Sequence, residues 1–122
     1  MTFYIELSPA VAVIEALGLH VRDLGLLSSA LARPSSSMFG EEAYPELEVK
    51  AAALMSSLSQ NHPFFDGNKR FSWVITVTFL ELNGVVVDMP VDDAFDLVLR
   101  TARGEAALDE IADSLRAHAR RA

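Results

Sequence analysis

From Asn68 to Leu82 the chain is apolar nearly all round a helical wheel: Phe71, Trp73, Val74, Ile75, Val77, Phe79, Leu80 and Leu82 leave little room for a wet face. A helix of this kind must be enclosed, because without a polar face it is stable only when most of its circumference is buried. Its valines and isoleucine also permit a strand, but its length and the Asn83-Gly84 stop favour a helix. The rest of the chain has to supply the enclosure.

The remaining segments read as amphipathic helices. Ser8 is a cap with Pro9 in the first helical position, followed by Val11, Ile14 and Leu17, and Gly18 is the stop. Asp23 caps a second helix with Leu24, Leu27 and Leu31 on one face; it ends at Arg33-Pro34, since a residue before proline is pushed out of helical geometry. Glu46 to Asn61 repeats Leu47, Ala51, Leu54 and Leu58 on one stripe. After a short extended Val85-Val86-Val87, Asp88 or Asp92 caps a helix with Val91, Ala94, Phe95, Val98 and Ala102 inward, and Gly104 breaks it. Leu108, Ile111, Ala112 and Leu115 define a last helix. Its basic end, Arg116, Arg120 and Arg121, reads as solvated and offsets the helix dipole. The expectation is an all-α fold, a single domain over residues 1–122. It has about six helices around a central buried one, the Lys69 helix, and no clear strand pairs.

Composition narrows the function. With 122 residues, 51% of them hydrophobic and 22% charged, the chain can build one real core and is not globally disordered. The absence of cysteine removes disulfides, thiolate metal sites and a thiol nucleophile, and it suits a reducing cytoplasm. The opening Met1 to Glu6 has no basic region before an apolar run, so no signal peptide is expected, and the best apolar run, Trp73 to Leu80, stops at Glu81, too short to span a bilayer. A net charge of −7 repels nucleic acid and anionic membranes. A small nucleotide held by local cations stays allowed.

Those cations sit in His62-Pro63-Phe64-Phe65-Asp66-Gly67-Asn68-Lys69-Arg70, between two helical segments. The first amides of the following helix lack partners and favour an anion, and Lys69 and Arg70 add charge there. Asp66 is placed to hold Mg²⁺, and His62 to take a proton from a hydroxyl. Together these are the parts of a phosphate-transfer site. Taken singly, each reads more blandly: His62 as a solvated loop residue, Asp66 as a turn, Lys69-Arg70 as a surface pair, and Phe64 and Phe65 as core anchors. Their concentration favours the functional reading. A P-loop fails because Asn68 and Arg70 stand where Gly and Ser or Thr belong. Zinc fails because His20 and His118 are remote and read as surface or packing residues. No Gly-x-Ser-x-Gly elbow occurs.

The nine residues resemble the signature of the Fic/Doc superfamily, and more narrowly its Doc (death-on-curing) toxin branch. Similarity continues through Arg22 to Leu27, Ser29 to Pro34, Tyr44-Pro45, Lys50 to Leu54 and Phe79 to Gly84. The resemblance implies His62 as catalytic base, Phe64 as loop anchor, Asp66 as Mg²⁺ ligand, and Gly67, Asn68, Lys69 and Arg70 as the hole around the phosphates of ATP. Fic adenylyl transferases carry Gly after the Asn and Arg three places after the Arg; here these are Lys69 and Trp73, as in the Doc branch. Phe71 stands where relatives often have Thr. The implied activity is γ-phosphate transfer to a protein hydroxyl, by family analogy on elongation factor Tu, with translation arrested. AMP transfer is the alternative, and a catalytically silent antitoxin-binding domain a further one. The inhibitory Ser/Thr-x-x-x-Glu-Gly/Asn helix is absent, since Glu42 follows Ser37…Glu41 and Ala106 follows Thr101…Glu105. Restraint is therefore expected from a separate antitoxin. The 34–45 stretch reads either as an exposed connector with apolar anchors or as the family's flap, and whether Arg33 faces the site stays open.

Overall fold

A computed structural model describes residues 1–122. Six α-helices make up most of it: α1 (Leu7–Leu17), α2 (Leu24–Ala32), α3 (Leu47–Asn61), α4 (Asn68–Leu82), α5 (Val91–Ala102) and α6 (Leu108–Ala117). Two antiparallel ribbons accompany them, β1 (Ser37–Met38) with β2 (Glu41–Glu42), and β3 (Val85–Val87) with β4 (Ala119–Arg121). These pairs depart from the expectation of no clear strand pairs, because ribbons this short carry no alternation to read. No helix is long and apolar enough to cross a membrane.

The most enclosed helix is α3 rather than the Lys69 helix, α4. All residues from Lys50 to Ser59 are buried, whereas Trp73, Val74 and Val77 of α4 are half-buried and Leu82 is exposed. Small side chains explain the exchange: Ala51, Ala52, Ala53, Ser56, Ser57 and Ser59 let neighbouring backbones close on α3 from several sides. The helices α4, α5 and α6 and the turn Arg33–Ser35 all pack against it. One contiguous core of 22 buried residues links α1 through α6, so no element stands apart.

Several helix ends follow the expected chemistry. Gly18 closes α1 at φ +69°, and Asp23 Oδ1 accepts from the Leu26 N–H at 3.0 Å to start α2. Others differ. α1 begins after Glu6, with Ser8 inside its first turn. Leu24 is exposed while Leu27 and Leu31 are buried. Neither Asp88 nor Asp92 caps α5; Pro90 precedes it, and Asp92 and Asp93 lie in its first turn, where the dipole favours them. The inward face of α5 is Ala94, Leu97, Val98 and Thr101, leaving Val91 and Phe95 in the open. Arg120 and Arg121 belong to β4, paired with Val86 and Val85, rather than to a helix end. Arg116 is not a free cation, for it pairs with Glu46, Glu48 and Asp113.

Beyond the buried Pro34, the 34–45 stretch is tied down by polar posts and not by its apolar tip. Met38 and Phe39 at the hairpin tip are exposed. Glu42 instead reaches the buried Lys50 Nζ at 2.9 Å, and Tyr44 Oη accepts from Arg33 Nε at 3.1 Å. The Arg33 guanidinium also donates to Ser57 Oγ at 2.8 Å, so it faces α3 and Tyr44.

Candidate active site

The loop joining α3 to α4 is set by two residues at positive φ. His62 ends α3 at φ +52°, ψ +60°, a left-handed conformation rare for non-glycine residues but enriched for histidine. Its carbonyl accepts from Arg22 Nε at 3.1 Å and Nη2 at 2.6 Å. The N–H groups of Arg22 and Asp23 both donate to the Pro63 carbonyl, and Phe65 N–H donates to the His20 carbonyl at 3.3 Å. The connector between α1 and α2 is thus zipped onto residues 62–65. The His62 backbone is held while its side chain stays exposed. Of this framework the sequence signalled only that Arg22 begins a stretch resembling the family; its contact with His62 spans 40 positions and has no local signature.

Gly67, at φ +82°, starts α4. A Cβ there would sit 2.5 Å from Leu19 Cδ2, which can swing aside, so the backbone is the larger obstacle. Gly67→Ala is expected to lower stability by about 1–2 kcal/mol, the cost of a left-handed L-residue. Urea unfolding checks this; an unchanged midpoint would show that the turn rearranges freely.

The first backbone hydrogen bond into α4 runs from Phe71 N–H to the Gly67 carbonyl at 2.9 Å, leaving the N–H groups of Asn68, Lys69 and Arg70 without intrahelical acceptors. Asn68 spends its side chain inside the loop: Oδ1 accepts from Phe64 N–H and Nδ2 donates to the Phe64 carbonyl, both at 3.0 Å. What it can offer an anion is its backbone N–H. Phe64 is buried edge-on against Phe71, with ring centroids 4.7 Å apart, and pins the loop to α4. Phe65, expected as a second anchor, is exposed instead.

One cavity of about 640 Å³ gathers His62 with residues 65–70 on one side and Trp73, Met89, Val91, Ala94, Phe95 and Val98 on the other. Every residue singled out from the sequence as catalytic, metal-binding or phosphate-binding lines it: His62, Asp66, Gly67, Asn68, Lys69 and Arg70. Lys69 and Arg70 are both exposed, and neither is engaged in an ion pair. Asp66 Oδ1 accepts from Gly67 N–H at 2.8 Å, which leaves Oδ2 for another partner. No cluster of three or more His, Asp or Glu residues surrounds it. A lone carboxylate next to free helix N–H groups fits Mg²⁺, which keeps several waters and takes one or two carboxylates plus phosphate oxygens.

Residues 6–80 match the family model described as Fic/DOC family. The chain belongs to the Fic/DOC family. It is 50% identical over 99 residues to the Toxin Doc of Mycolicibacterium smegmatis, covering 80% of this chain and 76% of that protein. It is 34% identical over 95 residues to the protein kinase Doc of Escherichia phage P1, covering 77% and 73% respectively. The matched Fic/DOC region contains the whole polar wall of the cavity, from His62 to Arg70, and ends inside α4. The apolar wall contributed by Met89 and α5 lies beyond it.

Proposed function

We propose that the chain is the toxin of a bacterial toxin–antitoxin pair and that it transfers the γ-phosphate of Mg-ATP to a hydroxyl of a protein. The family and the two Doc relatives, one named a toxin and the other a protein kinase, support this reading. The observation that carries it is Lys69. It stands directly after Asn68 at the open start of α4, exposed and unpaired. A side chain there obstructs close backbone approach to the middle of a triphosphate and places a cation at its end, which favours attack at the terminal phosphorus.

In that reaction His62 accepts the hydroxyl proton, and the hydroxyl oxygen forms its bond to the γ-phosphorus as the bond to the β–γ bridging oxygen breaks. ADP leaves. Lys69, Arg70 and the free amides of residues 68–70 hold the phosphates in line and stabilise charge in the transition state. Asp66 would hold Mg²⁺, which when bound would supply charge to screen the phosphates. By family analogy the target is elongation factor Tu, and restraint comes from a cognate antitoxin protein.

Incubation with elongation factor Tu and ATP labelled at either the α- or the γ-phosphate tests the reaction. Label reaching the protein from γ alone is the expected result. Label from α would replace the reading with AMP transfer, and none from either would leave an antitoxin-binding domain without catalysis.

A further inference from the structure

The amino-acid order asks His62 for a geometry that it does not adopt. A residue before proline is pushed toward extended backbone, and the left-handed conformation is costly for a residue with a Cβ. His62 nevertheless stands at φ +52°, ψ +60°, directly before the buried Pro63. Such a conformation persists only where the surroundings over-determine it. Pro63 has no N–H, so the His62 carbonyl is the one hydrogen-bonding group of the peptide that joins them. The Arg22 guanidinium donates to it twice, from Nε at 3.1 Å and from Nη2 at 2.6 Å. Holding that carbonyl fixes ψ of His62, and with it the direction in which the side chain leaves the loop.

The imidazole has no other guide. Its ring nitrogens make no hydrogen bond within the chain, unlike Nδ1 of His118, which lies 3.0 Å from the Ser114 carbonyl. A histidine base is ordinarily aimed by a third group on its far nitrogen. Here the aim comes from the backbone alone. Arg22 does not line the cavity, whereas His62 does, so Arg22 can act on the reaction only through His62. We infer that Arg22 is a positioning residue: its grip on the His62 carbonyl keeps the imidazole directed at the hydroxyl to be phosphorylated. The inference rests on the proposed phosphotransfer reading, in which His62 is the base. Arg22 is exposed and water weakens its charged hydrogen bonds, so the grip is expected to favour the held geometry by roughly 5–50-fold. The rest of the docking does not depend on this side chain. The N–H groups of Arg22 and Asp23 donate to the Pro63 carbonyl and that of Phe65 to the His20 carbonyl, all backbone bonds that a side-chain substitution retains.

Arg22→Met keeps most of the stem and removes the donors; Arg22→Ala, which also lacks them, serves if that variant does not fold. With γ-labelled Mg-ATP and elongation factor Tu, kcat is expected to fall about 5–50-fold while KM for ATP stays within about 3-fold of native. Arg22→Lys should recover part of the loss, because an ammonium donates to the carbonyl but not as a fixed fork. In the His62→Asn background the donor-free change should cost nothing further, since without the imidazole there is nothing to aim. A residue that merely stabilised the fold would lower both backgrounds alike. The backbone carbon NMR shifts of His62 give a readout that needs no turnover, and Arg22→Met should move them from left-handed toward extended values. A kcat within about 3-fold of native in Arg22→Met overturns the inference. So does an equal loss in both backgrounds, a change in KM for ATP alone, or His62 shifts that stay left-handed. Native transfer of γ-label with no effect of Arg22→Met would remove the inference and leave the phosphotransfer reading standing. No transfer by the native chain would remove that reading, and the His62 shifts would still decide whether Arg22 sets the backbone.

Discussion

Replacing His62 by alanine is expected to slow γ-phosphate transfer by about 10²–10⁴-fold, the usual contribution of a positioned general base. The exposed imidazole faces the cavity, and its backbone is fixed from behind by Arg22. The rate should fall without loss of nucleotide affinity, because the proposed phosphate contacts are those of residues 68–70. The left-handed backbone calls for a control, since alanine tolerates φ +52° less well than histidine does. His62→Asn provides it: asparagine is also enriched in that conformation but cannot act as a base at neutral pH. Both variants should lose the same activity, measured as γ-label transferred per minute at saturating ATP. A rate in His62→Asn within a few-fold of native would take proton transfer away from His62.

How far the residues alone disclose this site depends on how local the controlling interactions are. The nine-residue stretch His62 to Arg70 places the loop, the start of α4 and the cavity's polar side, because one turn glycine and one proline govern a contiguous segment. Gly18 and Asp23 work equally locally and are legible as helix ends. Arg22 is different: its grip on the His62 carbonyl depends on how the α1–α2 connector docks on the loop. Apolar pattern misleads at the cavity wall, which breaks the rule that apolar side chains face the core. Phe65, Val91 and Phe95 have the apolar character of inward residues, yet they are exposed and line the cavity. The same rule made α4 the most enclosed helix on its apolar content, whereas enclosure follows how closely backbones approach, and the alanines and serines of α3 win that contest.

Glu42→Ala is expected to destabilise the fold by about 2–3 kcal/mol, although Glu42 lies in an exposed two-residue strand. The reason is its partner. Lys50 is 1% exposed, and its ammonium has the Glu42 carboxylate at 2.9 Å, the Pro34 carbonyl at 3.4 Å and the Tyr4 ring beneath it at 5.7 Å. Removing Glu42 leaves a buried charge without its counter-ion. The Glu42 side chain is 56% exposed, which puts the loss below the roughly 3–5 kcal/mol of fully buried pairs. Lys50→Met should be close to neutral, because an apolar side chain of similar length then fills the slot and the freed carboxylate is solvated. The double variant should recover most of what Glu42→Ala loses, a recovery that mere loss of a surface strand would not produce. Urea unfolding of the four proteins checks this; Glu42→Ala within about 0.5 kcal/mol of native would show that the ammonium reaches water. Burial by itself would lower the Lys50 pKa, but its contacts with Glu42 and Tyr4 outweigh that and hold it above the ordinary 10.5. The folded state therefore keeps the proton more tightly than the unfolded chain, so this contribution is complete below about pH 10.4 and fades as pH rises through the raised folded value. Between pH 7 and about pH 9 the native and Lys50→Met proteins should differ by a constant amount, and the difference should shift in favour of Lys50→Met only above about pH 10.4.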